Sequence, residues 1–519
     1  MAAATTKAKP KPVKTATVAA KKKVSALAEK LIEDAKVPAK RGASKASAAK
    51  AEPPAKSRED MVDEILEMMG VTAMIDEVEE HFNIVQGVSD LEILREGRVS
   101  TGMLCTDLML AGGIYPGGWY NFSGPEGSGK STNLMSWLGS ICLAGVPMSF
   151  WWDYENTGAE DYIVNMLEAQ GIKISMKRMF GVKDDKGNYV VPPRVRYYNE
   201  SSGEKFYKVM SSILKKLPDK VHINGEWYLL YDRTKENMSK FKGKYTVYKG
   251  KLRMKSPNGG MMQCLILLDS IASMTTEEDE GEDGDGSRGM ALDARMHSKH
   301  IKKVWGRLRK KMATVVSINQ IRQNPGMRMG NPNYEPGGMA IKHATGARIM
   351  QTPRSCPDFI SATGATMEEP SVGASGTDTY RFINMKAIKN KYGVDNLEIW
   401  QRLWISDATG KGRGFDPVWD TWYYLRMTGQ LSGNMKSFTL HADSKSIPEL
   451  DLTWEDLKQL VLFKGKARKE LTAEWEVKDF DIREVLAAQI SSGRGLELYF
   501  NHLSGAGLDE EEEEVEEDE

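Results

Sequence analysis

Residues 124–132 read Gly-Pro-Glu-Gly-Ser-Gly-Lys-Ser-Thr and follow the apolar run Trp119-Tyr120-Asn121-Phe122. No other stretch constrains the fold as strongly. Gly124-x-x-x-x-Gly129-Lys130-Ser131 is a P-loop pattern, whose glycines let the backbone close around phosphates and turn its N–H groups inward. Such a loop works between a strand and a helix, and the residues after it read as a helix to about Leu143. A strand over Met148–Trp152 and a helix over Asp161–Ala169 come next, so a βαβ unit with a parallel sheet is expected. The expected nucleotide contacts are Gly124, Pro125, Glu126, Gly127, Ser128, Gly129, Lys130, Ser131 and Thr132. Lys130 reaches the β and γ oxygens, and the Ser131 hydroxyl meets Mg²⁺.

Three further residues gain meaning from that loop. Asp269 ends the apolar strand Cys264–Asp269, where an acid can hold the metal's water shell. Glu155 lies just past the strand that follows the P-loop helix, on the side of an α/β sheet that faces ligands. A carboxylate there can orient and deprotonate a water. Asp153 is its rival, and helix capping is the plainer role for either. Tyr162 opens the next helix as core or as a platform for the base, and composition favours core.

Downstream, the pattern predicts a helix over Met290–Met312 and a strand over Thr314–Ile318. A Gly- and Pro-rich loop spans Arg322–Gly338, with strands near Ala347–Met350 and Tyr380–Ile388. Residues 171–263 break the rhythm. There, Val221-His222-Ile223, Asn224-Gly225 and Glu226–Leu230 form a hairpin signal, which reads as an insertion with its own β structure. Beyond about Asp395 a mixed α/β region is expected, with helices around Thr453–Phe463 and Ile482–Ser491.

The 519 residues carry a net charge of only −1, which hides an asymmetry. Residues 1–56 are Ala-, Lys- and Pro-rich without aromatics and cannot bury a core. They read as a basic arm, residues 57–98 as an amphipathic docking arm, and residues 509–519 as an acidic tail. The basic arm lacks arginine before Arg41 and any apolar stretch of signal-peptide type. No run is apolar enough to span a membrane. Cys105, Cys142, Cys264 and Cys356 show no metal spacing, which suits a reducing compartment. His297 and His343 read as surface or DNA-side residues.

Several segments, in order, resemble the RecA family of homologous-recombination ATPases. They are Ser100–Gly102 through Gly117-Gly118, the P-loop with its Glu126, Leu267–Met274, Ile318–Arg348, and Lys389-Asn390-Lys391. The resemblance covers roughly residues 88–170 and 264–394. It implies a P-loop NTPase of RecA type: an α/β fold with a mostly parallel central sheet flanked by helices, here with a β-containing insertion and a mixed C-terminal domain. The implied organisation is a core at 99–394, interrupted at 171–263, and a C-terminal domain at 395–508.

The resemblance assigns Glu155 as the catalytic glutamate and Tyr162 as the adenine-stacking residue. Gln320 becomes the γ-phosphate sensor, and Lys389 and Lys391 reach the ATP of a neighbouring subunit. Arg295, Lys302, Arg322, Arg328, Gly337, Gly338 and Lys342 are the implied DNA contacts, with Met327 and Met329 as wedges between bases. The acidic run Thr275–Gly289 departs from a DNA-binding loop, and Arg288 is its one attractive residue.

The implied cofactors are ATP and Mg²⁺. The implied partners are single-stranded DNA, homologous duplex, further copies in a helical filament, and single-strand-binding and loader proteins. The expected location is the cytoplasm of a bacterium or of a phage-infected host. A ring-forming helicase on the same core and a non-enzymatic architectural DNA-binding protein are the alternatives.

Overall fold

The computed structural model describes residues 97–156, 158, 160–169, 175–277, 286–323, 333–354, 379–406, 413–434, 436–442, 447–477 and 480–504. The basic arm, nearly all of the docking arm, Met327, Arg328, Met329 and the acidic tail lie outside those residues, as does the side chain of Arg288.

The chain enters through α1 (Leu104–Met109), β1 (Trp119–Gly124), α2 (Lys130–Leu143), β2 (Met148–Asp153), α3 (Glu160–Ala169), β3 (Val195–Tyr198) and α4 (Gly203–Lys216). A small antiparallel sheet follows, made of β4 (Asp219–Ile223), β5 (Glu226–Tyr231), β6 (Thr246–Tyr248) and β7 (Lys251–Lys255) in the order β4-β5-β7-β6. Its first turn is the expected one: Ile223 pairs with Glu226 around Asn224-Gly225. The core resumes with β8 (Cys264–Asp269), α5 (Gly286–Lys310), β9 (Ala313–Gln320), α6 (Gly338–Ala344), β10 (Ala347–Arg354), β11 (Thr379–Asn390), β12 (Glu398–Ser406) and β13 (Gly414–Phe415). Then come α7 (Pro417–Met427), a three-stranded sheet, α8 (Trp454–Leu462), α9 (Lys466–Glu474), α10 (Ile482–Ser492) and α11 (Arg494–Ser504).

The main sheet has nine strands in the order β13-β12-β11-β10-β1-β9-β8-β2-β3. The six from β10 to β3 run parallel, and β11, β12 and β13 add antiparallel. The fold is therefore α/β with a mostly parallel sheet. All six residues of β8 are buried, as a parallel strand covered on both faces requires. Its side chains alternate between two cores. Leu265 and Leu267 join Trp137 and Leu138 of α2 on one face, while Ile266 and Leu268 join Phe206 of α4 and Val304 of α5 on the other.

Two boundaries differ from the sequence reading. β3 lies within 171–263 yet pairs with β2 at the sheet edge, and α4 packs on α5. The β4–β7 sheet and the short pairing of Val182–Lys183 with Tyr189–Val191 are separate from the main sheet. The main sheet also continues past residue 394, because β12 pairs with β11 along eight positions. The C-terminal elements fasten to the start of the core. The buried Asp420 of α7 accepts from the N–H groups of Leu104 (2.7 Å) and Cys105 (3.0 Å), satisfying donors that a helix start leaves open. Arg483 of α10 donates to Gly102 O (2.7 Å) and to Asp420 (3.2 Å). α7 itself starts on Asp416, whose side chain accepts from Val418 N, with Pro417 at its first position.

His297 is not a surface residue. It is buried under α4, with its Nδ1 2.8 Å from the Tyr207 hydroxyl. Helical spacing placed its Cα near the exposed Arg295 but gave no account of α4 packing over that turn. Burial pushes the His297 pKa down to about 4. The folded state keeps the ring neutral, whereas the unfolded chain protonates it below about 6.5, so stability is lost as pH falls from 6.5 towards 4. Relative to a His297→Phe variant, the wild-type protein is expected to lose about 2 kcal/mol between pH 7.5 and 5. Urea denaturation at the two pH values reads this difference. His343, in contrast, is exposed.

Candidate nucleotide site and DNA-facing loop

The P-loop leaves the C-terminal end of β1 and enters α2. Gly124 cannot be replaced there, since a β-carbon would sit 2.1 Å from the carbonyl oxygen of Gln351. Ser128 Oγ donates to Pro125 O at 2.8 Å and holds the loop closed. Lys130 is buried, and its ammonium donates to Gly124 O (3.1 Å) and Pro125 O (2.7 Å). Burial lowers its pKa, while Glu155, Asp269 and Glu126 pull the other way. The Thr132 hydroxyl lies 2.9 Å from that of Tyr162, so α3 presents this ring beside the loop while the ring packs on the core.

Asp269 is fully buried at the end of β8, and among the described residues neither carboxylate oxygen has a partner in good hydrogen-bond geometry, although the Ser131 hydroxyl is close. Burial raises its pKa to about 7, Ser131 lowers it, and Glu155 and Asp153 raise it further. A buried acid with two unmatched oxygens beside a serine hydroxyl and a phosphate loop fits a divalent cation. Ser131 and Asp269 would hold Mg²⁺ there. Such a site needs no protein cage, and among the described residues no cluster of three or more His, Cys, Asp or Glu suits a metal.

The two rival carboxylates have different surroundings. Asp153 is buried and accepts from Tyr197 OH (2.8 Å), Gly158 N (2.9 Å) and Glu155 N (3.2 Å), so it shapes the turn. Glu155 is half-buried and turns towards β9. Its Oε1 accepts from Gln320 Nε2 (2.8 Å), Ser273 Oγ (3.1 Å) and Ser270 Oγ. Ser270 and Ser273 escaped the sequence reading, although they lie one and four residues after Asp269. Arg381 also escaped it. It lies on β11 and donates to Gly127 O at 2.8 Å, a contact across 254 residues that leaves no local signal.

Gln320 ends β9 and leads into the Gly- and Pro-rich segment. Arg322-Gln323 pairs with Asn333-Tyr334, closing a hairpin base around residues 324–332. Asn319 Nδ2 donates to Pro336 O (2.9 Å) and Arg348 pairs with Glu335 (2.8 Å), pinning the far end. Arg322 is exposed, and one guanidinium nitrogen donates to Ala272 O (3.2 Å). Arg295 and Lys302 are exposed on α5, and Lys342 is half-buried on α6, which packs on α5. Gly337 and Gly338 have a packing role: a β-carbon on Gly338 would meet that of Ala294 at 2.9 Å, so this glycine lets α6 approach α5, and one on Gly337 would meet Ile341 at 2.3 Å. Met339, 62% exposed, and Trp305, 50% exposed, are apolar groups on these helices that the sequence reading missed.

Lys389 lies at the other end of the sheet. Its register partner is Arg348, which in turn pairs with Asn121, three residues before Gly124 and two strands away. Three residues of strand and two strand spacings place it roughly 14 Å from the P-loop. Its Nζ donates to Lys342 O (2.8 Å) and Thr345 O (2.5 Å), at the end of α6. Lys391 is exposed beside it.

Comparison with known proteins places this arrangement. Residues 258–356 match the RecA N-terminal domain. Protein RecA of Lactococcus lactis subsp. cremoris (strain MG1363) is 33% identical over 128 residues, covering 24% of this chain and 30% of the relative. Protein RecA of Staphylococcus carnosus is 42% identical over 86 residues (16% and 24%), and that of Mycoplasma mobile 42% over 148 residues (28% and 40%). The chain thus spans well under half the length of these relatives. Among solved structures, the RadB recombinase aligns over 61% of this chain and 98% of its own length, at 14% identity and a TM-score of 0.34. The matched domain contains the Asp269 strand, Gln320 and the segment up to Arg348, and over residues 258–356 the chain is similar to the RecA family.

Proposed function

We propose that this protein is a DNA-dependent ATPase that assembles head to tail as a helical filament on single-stranded DNA and promotes pairing with homologous duplex. The observation that carries the reading is the 2.8 Å hydrogen bond between Gln320 and Glu155. It joins the carboxylate beside the phosphate loop to the strand that leads into the 322–342 segment. A γ-phosphate that draws Gln320 away moves the base of that segment, and DNA held there biases Gln320 in return.

In hydrolysis Glu155 orients a water for in-line attack and takes its proton, while Lys130 and the loop N–H groups stabilise charge on the phosphoryl oxygens. Tyr162 stacks on the base. Bound Mg²⁺ would neutralise charge shared by the β- and γ-phosphates. Lys389, whose ammonium meets the end of α6, and the exposed Lys391 supply positive charge to the triphosphate of the next protomer. An interface of two unlike surfaces that does not close gives a helix. Arg295, Lys302, Arg322, Arg328 and Lys342 grip phosphates, and base pairing rather than side chains reads sequence.

The test is phosphate release with and without single-stranded DNA, followed by electron microscopy of the ATP-bound complex. Stimulation by DNA and open filaments are expected. Closed hexameric rings favour a ring-forming motor, and DNA binding without turnover favours an architectural protein.

A further inference from the structure

The β4–β7 sheet has no part in the reading above. It joins the core at the N-terminal end of β8, where Gln263 Nε2 donates to Pro218 O (2.9 Å) and Lys311 O (2.8 Å). The P-loop and the 322–342 segment lie at the opposite end, about 20 Å away along β9.

Residues 219–255 hold ten Lys or Arg against four Asp or Glu. Three of those acids are engaged internally. Asp219 pairs with Lys251 (2.7 Å) and Lys311 (2.8 Å), Asp232 lies 3.7 Å from Lys251, and Glu226 pairs with Lys255 and accepts from Tyr228 OH (2.8 Å). Among the described residues, no acid pairs with Arg233, Lys242, Lys244 or Arg253. Register sets Tyr228 opposite Lys255, Arg253 opposite Thr246 and Tyr248 opposite Lys251, so Tyr228, Tyr248, Arg253 and Lys255 share one face. The Arg253 guanidinium lies 4.8 Å from the Tyr228 ring centre and 5.5 Å from that of Tyr248, with Nε donating to Thr246 Oγ1 (3.1 Å). Its terminal nitrogens have no partner in the described structure. β6 is the edge strand, and Val247 on it is 52% exposed.

An unmatched Arg253 beside two tyrosine rings at a sheet edge, with the exposed Lys242 and Lys244 on the turn that leads into β6, matches the chemistry of a nucleic-acid strand: phosphates for the cations, bases for the rings. We infer that this face is a second DNA-binding surface that holds single-stranded DNA. Arg253, Lys242 and Lys244 meet phosphates, and Tyr228 and Tyr248 offer stacking faces. Stacking favours a single strand over duplex, whose bases are already stacked.

The test uses the full-length protein without nucleotide, so it does not depend on hydrolysis. Anisotropy of labelled oligo(dT) and of a duplex of equal length is measured from 50 to 300 mM salt. The variants are K242E/K244E, on an exposed loop, and Arg253→Gln. K242E/K244E is expected to weaken oligo(dT) binding about 10-fold and to flatten the salt slope by at least about 1.4, two charges at about 0.7 each. An oligonucleotide containing 5-iodouracil is expected to crosslink to Tyr228 or Tyr248. Fluorescent-nucleotide binding stays unchanged, which shows the fold intact. Should the double charge reversal unfold the protein, the neutral Arg253→Gln carries the test, with an expected loss of about 3-fold and the same crosslinks. Unchanged affinity and slope with crosslinks confined to residues 275–345 would overturn the proposal. So would tighter binding to duplex, or an effect that vanishes when the acidic residues 509–519 are deleted, since the face would then serve that tail.

Discussion

Glu155→Gln is expected to lower DNA-stimulated ATP turnover by about 10²–10⁴-fold while leaving nucleotide affinity within a few-fold. Glutamine keeps the volume and can still meet Ser273 and Gln320 through its amide, but it cannot take a proton from water. The choice of Glu155 over Asp153 rests on their neighbours. Asp153 spends both oxygens on Tyr197, Gly158 and the Glu155 backbone. Only one oxygen of Glu155 is engaged, by side chains alone. Asp153→Asn is therefore expected to act through the turn, lowering thermal stability along with activity. Phosphate release, fluorescent-nucleotide titration and melting separate the two variants. Normal turnover in Glu155→Gln would remove this residue from the chemistry.

Local signals in the chain foretold the nucleotide end of the molecule. The P-loop, the helix behind it, β8 with its terminal Asp269 and the Asn224-Gly225 hairpin each announce themselves within about ten residues, through periodicity or turn chemistry. What stayed hidden depends on distant partners. Val195–Tyr198 is too short a run to declare that it completes the main sheet. Arg381 reaches Gly127 across 254 residues. His297 sits beside exposed neighbours on its helix, and only α4, folded over from ninety residues earlier, buries it. The Gly337-Gly338 pair was read as room for a nucleic-acid strand; the neighbours that the structure describes are Ile341 and Ile271 for Gly337 and Ala294 of α5 for Gly338.

The second large effect concerns Lys389 and Lys391. Replacing both with alanine is expected to cut turnover by 10³-fold or more, as loss of an arginine finger does. Because these lysines stand roughly 14 Å from their own P-loop, the defect should be repairable by a neighbour. Mixing K389A/K391A protein with Glu155→Gln protein gives junctions where an intact Glu155 meets intact lysines. With random assembly of equal amounts, about a quarter of junctions are of this kind, so activity far above either variant alone is expected. Phosphate release from the mixture, measured against each parent, decides the matter. A mixture no better than its parts would mean that the lysines act within their own chain or only shape the end of α6.

The reach of Asp420 and Arg483 back to Leu104, Cys105 and Gly102 spans 315 to 381 positions of the chain. During synthesis, the helix that precedes the P-loop therefore waits for its cap until residues 420 to 483 have emerged from the ribosome. The P-loop half cannot settle as an early, self-sufficient intermediate, and nascent chains halted before about residue 420 should remain protease-sensitive at their N-terminal half and dependent on chaperones.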